Sequence, residues 1–299
     1  MKVIGPVTIT DAMLVSSTAP EADFAAWAAA TAYTVGNKAI RTTTTTHRIY
    51  QRLVAGTTAT APEADTVNWV DIGPTNRWAM LDSAISTATA LASPLTVVLA
   101  PGYINGLALL GLVGSRVDVT VRDGAGGAVV YTTTVGIDAA VIADWYAYVW
   151  EPISQVTEVV LTDLPPYVNA SVTVSIIGST SVACGVLLLG TVYTLGDTQF
   201  NARLGITDYS RKETDAFGTT TFVKRKFSRR LTTDLQLRTS QLAAVRNRLE
   251  ALRATPCVWI ASDDTAYTPL IVFGFYRDFQ ITIAYPTLNF CSLEIEGLT

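Results

Sequence analysis

The sequence predicts a mainly β chain with three parts: a small aromatic β module, a central antiparallel β-sandwich of jelly-roll type, and a C-terminal β-α-β-β-β unit. Three observations predict it. Short runs of Val, Ile, Leu and Thr recur at near-regular spacing with turn residues between them. The segment Arg116-Val117-Asp118-Val119-Thr120-Val121-Arg122 alternates polar and apolar side chains, the period of a strand with one buried face. Charged residues make up 15% of the chain against 49% hydrophobic, a balance that suits sheets covered on both faces or subunits that bury surface against neighbours.

Residues 1–20 carry a short β-like stretch, Val7-Thr8-Ile9, expected as an arm or strand leading into the first module. Residues 21–75 have few aliphatics and several aromatics, so Trp27, Tyr33, Tyr50 and Trp69 must supply much of whatever core so small a module buries. Gly73-Pro74-Thr75-Asn76 then reads as a hinge. The sandwich is expected over residues 76–200, with strands at 95–99, 116–122, 128–131, 158–161, 170–177 and 182–189. Gly124-Ala125-Gly126-Gly127 reads as a hairpin turn between two of them.

Residues 201–299 form the last unit, opening with one or two strands rich in Arg and Lys over 222–237. Ser240 is placed to cap a helix whose apolar residues Leu242, Val245, Leu249 and Leu252 recur at helical spacing, and Pro256 ends it. Strands follow at 257–260, 270–275, 279–284 and 292–295.

Several classes are excluded on composition. The chain is too apolar and too weakly charged for a disordered segment. The apolar run over 95–114 is broken by Pro101, Gly102, Asn105, Gly106 and Gly111, and that over 182–190 is far short of the ~20 residues a spanning helix needs. Membrane insertion is therefore not expected. Pro6 and Asp11 interrupt any apolar core near the N-terminus, so no signal peptide is expected either. Cys184, Cys257 and Cys291 are far apart and flanked by apolar residues, the setting of buried free thiols in a reducing compartment.

The catalytic inventory is thin, and the expectation is a protein without enzymatic activity or cofactor. No nucleophile elbow, phosphate-binding loop or HExxH motif occurs. His47, the one histidine, follows five threonines, Thr42 to Thr46, and reads as a solvated side chain. Asp208 and Asp215 are the best candidates for paired acids, but neighbouring Arg211, Lys212, Lys224 and Arg225 make salt-bridged loop carboxylates the simpler reading. Asp263-Asp264 reads as a polar turn, with metal binding second. No metal site is expected.

Charge is unevenly distributed. Between Arg122 and Arg203 the sequence has no Lys or Arg, whereas residues 203–253 carry twelve basic residues against five acidic ones. Basic stretches can signal nucleic acid. Here the charges are spread through strand-like and helical pattern. They fit better as a partner for the acidic middle of a neighbouring copy, with Arg211, Lys212, Lys224, Arg225, Arg229 and Arg230 as candidate subunit-interface residues and no nucleic-acid partner.

The run Trp27, Tyr33-Thr34-Val35-Gly36, Ile49-Tyr50, Pro62 and Trp69-Val70-Asp71-Ile72-Gly73 resembles the small carbohydrate-binding modules of chitinases and many phage tail proteins. That resemblance makes Trp27, Tyr33, Tyr50 and Trp69 candidate sugar-binding residues, beside the reading in which they are the module's own core. In the chitin-binding members exposed aromatics follow the middle Tyr, whereas Gln51-Arg52-Leu53-Val54 stands here, so the fold is implied more strongly than the sugar. Three further segments resemble tail-tip or baseplate proteins of tailed phages: Gly73-Pro74-Thr75-Asn76-Arg77-Trp78-Ala79-Met80-Leu81-Asp82, Gly205-Ile206-Thr207-Asp208-Tyr209-Ser210-Arg211-Lys212 and Ser292-Leu293-Glu294-Ile295-Glu296-Gly297-Leu298. The closing unit is similar to the tube-like folds of distal tail proteins, which form rings.

The resemblance implies a structural virion component, made in the bacterial cytoplasm and assembled into a tail with other copies of itself and other tail proteins. Host cell-surface polysaccharide is a further implied partner through the aromatic module. An adhesin is the alternative reading, and an envelope-degrading hydrolase the remaining one.

Overall fold

The computed structural model describes residues 1–137, 145–150, 155–214, 216–262 and 270–298. The protein is mainly β. It divides into two compact units: Val7–Leu189, and a discontinuous one made of Met1–Pro6 and Gly190–Thr299.

The first unit contains the sandwich. Its larger sheet is antiparallel, in the order Val129–Gly136, Arg116–Asp123, Ala170–Ile177, Leu95–Leu99, Leu14–Ser17. Register explains its inner face. Val119 lies opposite Val174, which lies opposite Val97, and Val121 lies opposite Val172, which lies opposite Leu99. These side chains form rows across the sheet, all of them buried. Leu107 and Leu109 of the strand Gly106–Leu110, Val159 of Glu158–Leu161, and Leu187 and Leu189 close over them from the other layer. Two inner faces interdigitate, and the core lies between them.

Strands Glu158–Leu161 and Ala170–Ile177 lie where the sequence predicts them. The 182–189 run differs. It is two strands, Ser181–Cys184 and Val186–Thr194, parted at Gly185. Gly185 donates its N–H to the Leu110 carbonyl, and a Cβ there would stand 3.0 Å from that oxygen. Close backbone approach breaks the strand. The 124–127 turn is as expected: Gly124 and Gly126 take φ of 82° and 73°, and the Gly127 N–H closes on the Gly124 carbonyl.

The aromatic module, in the same unit, is a three-stranded sheet of Lys38–Thr43, Thr46–Arg52 and Trp69–Pro74, with a small ribbon of Ala32–Tyr33 and Gly56–Thr57 beside it.

In the discontinuous unit one antiparallel sheet runs from residues 190–194 through Lys2–Pro6, Cys257–Ile260, Ile271–Thr282 and Leu288–Gly297 to Phe227–Arg238. Residues 2–6, within the stretch expected as an arm, are thus an interior strand with neighbours on both sides. Val3 and Ile4 are fully buried there, which an arm in water would not allow. The helix Leu242–Ala251 buries Val245 and Leu249 against Leu231, Leu235, Trp259, Leu293 and Ile295, each side chain contributing about 1.5–3 kcal/mol of transfer free energy. Ser240 does not cap it. A 3-10 turn over Thr239–Gln241 leads in instead, with Gln241 at the cap position. The strands expected at 270–275 and 279–284 are one strand, Ile271–Thr282, carried past a bulge between Tyr276 and Asp278.

Candidate functional site

In the aromatic module Tyr50 and Trp69 are buried with Ala39, and Trp27 and Tyr33 pack half-buried against them. Tyr33 meets Trp69 edge to face at 4.9 Å between ring centres. Cations cover the other ring surfaces: the Arg52 guanidinium lies 5.2 Å from the Trp69 ring centre and that of Arg41 5.1 Å from Trp27. Arg41 is held by Glu63 at 2.9 Å, a contact that keeps the Glu63 carboxyl below its ordinary range. Burial, with Asp71 and Glu63 close by, pushes the Tyr50 hydroxyl above its own. The indole N–H groups of Trp27 and Trp69 and the Nε and Nη1 of Arg52 are buried without a hydrogen-bond acceptor, Arg52 Nη1 standing 4.0 Å from Asp65.

His47 is not the solvated side chain its threonine-rich surroundings predict. The imidazole stacks on Trp78 at 4.2 Å and 17°, and 13% of the side chain is accessible. Nδ1 lies 2.9 Å from Glu21 Oε1, and Nε2 lies 3.4 Å from Asp11 Oδ1, an ion-pair distance without hydrogen-bond alignment. Glu21 Oε1 also accepts from the Thr75 hydroxyl at 2.8 Å, and Oε2 faces Arg77 at 3.9 Å. Asn76 is bonded in both directions to the Ala90 backbone and donates its backbone N–H to the Asp23 carboxylate. The Gly73-Pro74-Thr75-Asn76 segment, expected as a hinge, is therefore pinned to the elements on either side of it, with Thr75 fully buried. The geometry of this node joins the module to the sandwich.

The six basic interface candidates are brought together on one β-ribbon. Arg203–Asp208 pairs with the start of Phe227–Arg238, and Arg211–Thr214 pairs with Thr220–Val223 beyond it. Arg211, Lys212, Lys224, Arg225, Arg229 and Arg230 are all exposed. Arg211 meets its neighbour Glu213 at 3.2 Å, and Arg230 meets Glu294 at 2.6 Å. Lys212, Lys224 and Arg225 form no ion pair among the described residues. Asp208 is exposed, and the Ser210 hydroxyl and N–H hold its carboxyl below the usual range, the reverse of what a general acid needs. Asp215, Asp263 and Asp264 lie outside the described residues.

Sequence reasoning missed the apolar half of this ribbon. Directly opposed residues share a face, so Leu204, Ile206 and Asp208 lie with Leu231, Arg229 and Phe227. Leu231 is buried in the core, but Ile206 is 65% and Phe227 52% exposed, and Phe222 beyond them 74%. The core face of the sheet runs out of the core along the ribbon. A partial signal stood in the sequence: Leu204 and Ile206 fall at a strand's period of two, and Phe222 and Phe227 stand among Lys and Arg.

The thiols of Cys184, Cys257 and Cys291 are free and buried, and burial pushes them up to about 12, about 12 and about 11 respectively. They are packing groups. Among the described residues no group of three or more His, Cys, Asp or Glu could hold a metal ion. No protein-family model matches the chain, and no curated protein matches it.

Proposed function

We propose that this protein is a structural subunit of a bacteriophage tail tip or baseplate, joined to copies of itself through the basic, apolar ribbon of residues 203–230. The observation that carries the reading is a ribbon whose aromatic and aliphatic side chains face solvent beside a row of cations. Arg and large aromatics are the residues that anchor protein interfaces. A monomer gains nothing from exposing them, whereas a subunit gains an interface. The segment Gly205-Ile206-Thr207-Asp208-Tyr209-Ser210-Arg211-Lys212, one of those resembling tail-tip proteins, lies in this ribbon. The acidic stretch of residues 123–202 supplies a surface of opposite sign on a neighbouring copy, and a basic patch meeting a different acidic one makes a heterologous contact of the kind that closes rings.

Immunogold electron microscopy of virions from the strain carrying this sequence tests the placement. Gold at the tail end distal to the head is expected, and particles that never label would sink it.

A second reading, attachment to host polysaccharide, draws support from the partly exposed rings of Trp27 and Tyr33 and from the Arg41 and Glu63 side chains beside Trp27. Sugar hydroxyls are acceptors, and sugar C–H faces pack on rings such as the half-buried Trp27 and Tyr33. A glycan array probed with the full chain decides it: silence across bacterial envelope sugars removes this role and leaves the structural one.

A further inference from the structure

We infer that the surface receiving the ribbon on the neighbouring copy is the short helix Trp145–Trp150, a deepening that rests on the assembly reading above. The helix carries Trp145-Tyr146-Ala147-Tyr148-Val149-Trp150, and four of these side chains are open to solvent: Trp145 at 81%, Tyr146 at 68%, Val149 at 59% and Trp150 at 71%. Tyr146 and Trp150 are four residues apart, as are Trp145 and Val149, so the four lie along one side of the helix.

Charge selects the occupant. Residues 123–202 hold seven acidic residues and no Lys or Arg (net −7), with Asp144 and Glu151 directly flanking the helix in sequence. Residues 203–230 hold eight basic residues against three acidic ones (net +5). An anionic membrane surface would be repelled by so acidic a stretch, whereas the ribbon of a second copy matches it twice. Phe222, Phe227 and Ile206 offer apolar surface, and Lys212, Lys224 and Arg225 offer cations for the indole faces and for the acidic balance of the stretch as a whole. Large aromatic side chains bury roughly 150–250 Å² each, so the two faces together supply on the order of 1,000 Å², the size a specific interface requires. The contact is head-to-tail, since ribbon and helix are different surfaces of the same chain.

Two variants test this by sedimentation velocity on the full chain. In one, Lys224→Glu and Arg225→Glu reverse the ribbon; in the other, Tyr146→Ser and Trp150→Ser strip the helix. All four positions are exposed, so both variants keep the fold, which circular dichroism checks. Each alone is expected to stay monomeric under conditions in which the unaltered protein assembles. Mixed in equal amounts they are expected to form a one-to-one dimer and nothing larger, because the pair retains one intact ribbon and one intact helix. If the helix variant assembles like the unaltered protein, or the mixture stays monomeric, the helix is not the receiving surface and the assembly reading survives. If the unaltered protein itself stays monomeric up to millimolar concentration, the assembly reading fails and this inference with it.

Discussion

Glu21 accepts the Thr75 hydroxyl and meets His47 Nδ1 on one oxygen while facing Arg77 with the other, so a single carboxylate ties the start of the aromatic module to its middle and its end. Glu21→Ala leaves the buried Thr75 hydroxyl and His47 Nδ1 without their acceptor and Arg77 without its counter-charge. A loss of about 2–4 kcal/mol is expected, read from the denaturant midpoint; a change under about 0.5 kcal/mol would show the node to be ornamental. None of this was legible in the sequence. Asp11, Glu21, His47 and Trp78 are far apart along the chain, and no local pattern links them. The cysteines were legible, because an apolar neighbourhood along the chain also means one in space. A thiol reagent at pH 8 should find none of the three in the folded protein and all three after denaturation. Unfolded, a thiol ionises near 9.0, whereas folded Cys184 keeps its proton to about 12. Below pH 9 both states hold that proton. Above it the unfolded chain binds fewer protons than the native one, so stability falls as pH rises from 9 towards 12, by about 1.4 kcal/mol per pH unit for this fully buried group. Cys184→Ala should lessen that slope, the part owed to Cys257 and Cys291 remaining. An unchanged slope would remove the thiol as its cause.

At the level of strands and helices, the readable elements were those whose own residues decide them. Glu158–Leu161 and Ala170–Ile177 are β-branched runs between turn residues. The Leu242–Ala251 helix shows its buried stripe in its spacing, although its entry through a 3-10 turn depends on the preceding strand and left no local mark. Gly106–Leu110, buried at every position, was hidden by the Gly and Pro around it. Such a central strand is decided by neighbours on both sides. The same tertiary control governs two glycines. A Cβ on Gly274 would stand 2.0 Å from the Glu296 carbonyl oxygen, backbone against backbone, where neither side can yield. Gly274→Ala is expected to cost about 3 kcal/mol or more, the upper end of overpacking. Gly205 on the ribbon has nothing within 4 Å, so Gly205→Ala should leave the melting temperature unchanged or slightly raised. Equal melting temperatures for the two variants would contradict the close approach.

Across the whole molecule, the mainly β class and the uneven charge were open to inspection because both are sums over many residues. The division into units was not. The sequence suggests consecutive modules, whereas Lys2–Pro6 shares one sheet with residues 190–194 and Cys257–Ile260, a pairing that register across nearly two hundred residues creates and no local pattern announces. The exposed charges give the assembly a signature. Raising sodium chloride from about 0.05 M to about 0.5 M shortens the screening length several-fold, and a shift of the sedimentation profile towards monomer is expected. Indifference to salt would mean that apolar contact alone joins the copies.

The placement of Lys2–Pro6 between residues 190–194 and Cys257–Ile260 has a temporal consequence. Residues 2–6 are seated against a strand that the ribosome makes only after residues 7–256. Residues 7–189 emerge whole in the interval and are free to fold, while the N-terminal segment, with Val3 and Ile4 uncovered, waits for its second neighbour. Synthesis of residues 257–260, more than any early collapse, sets when this sheet closes.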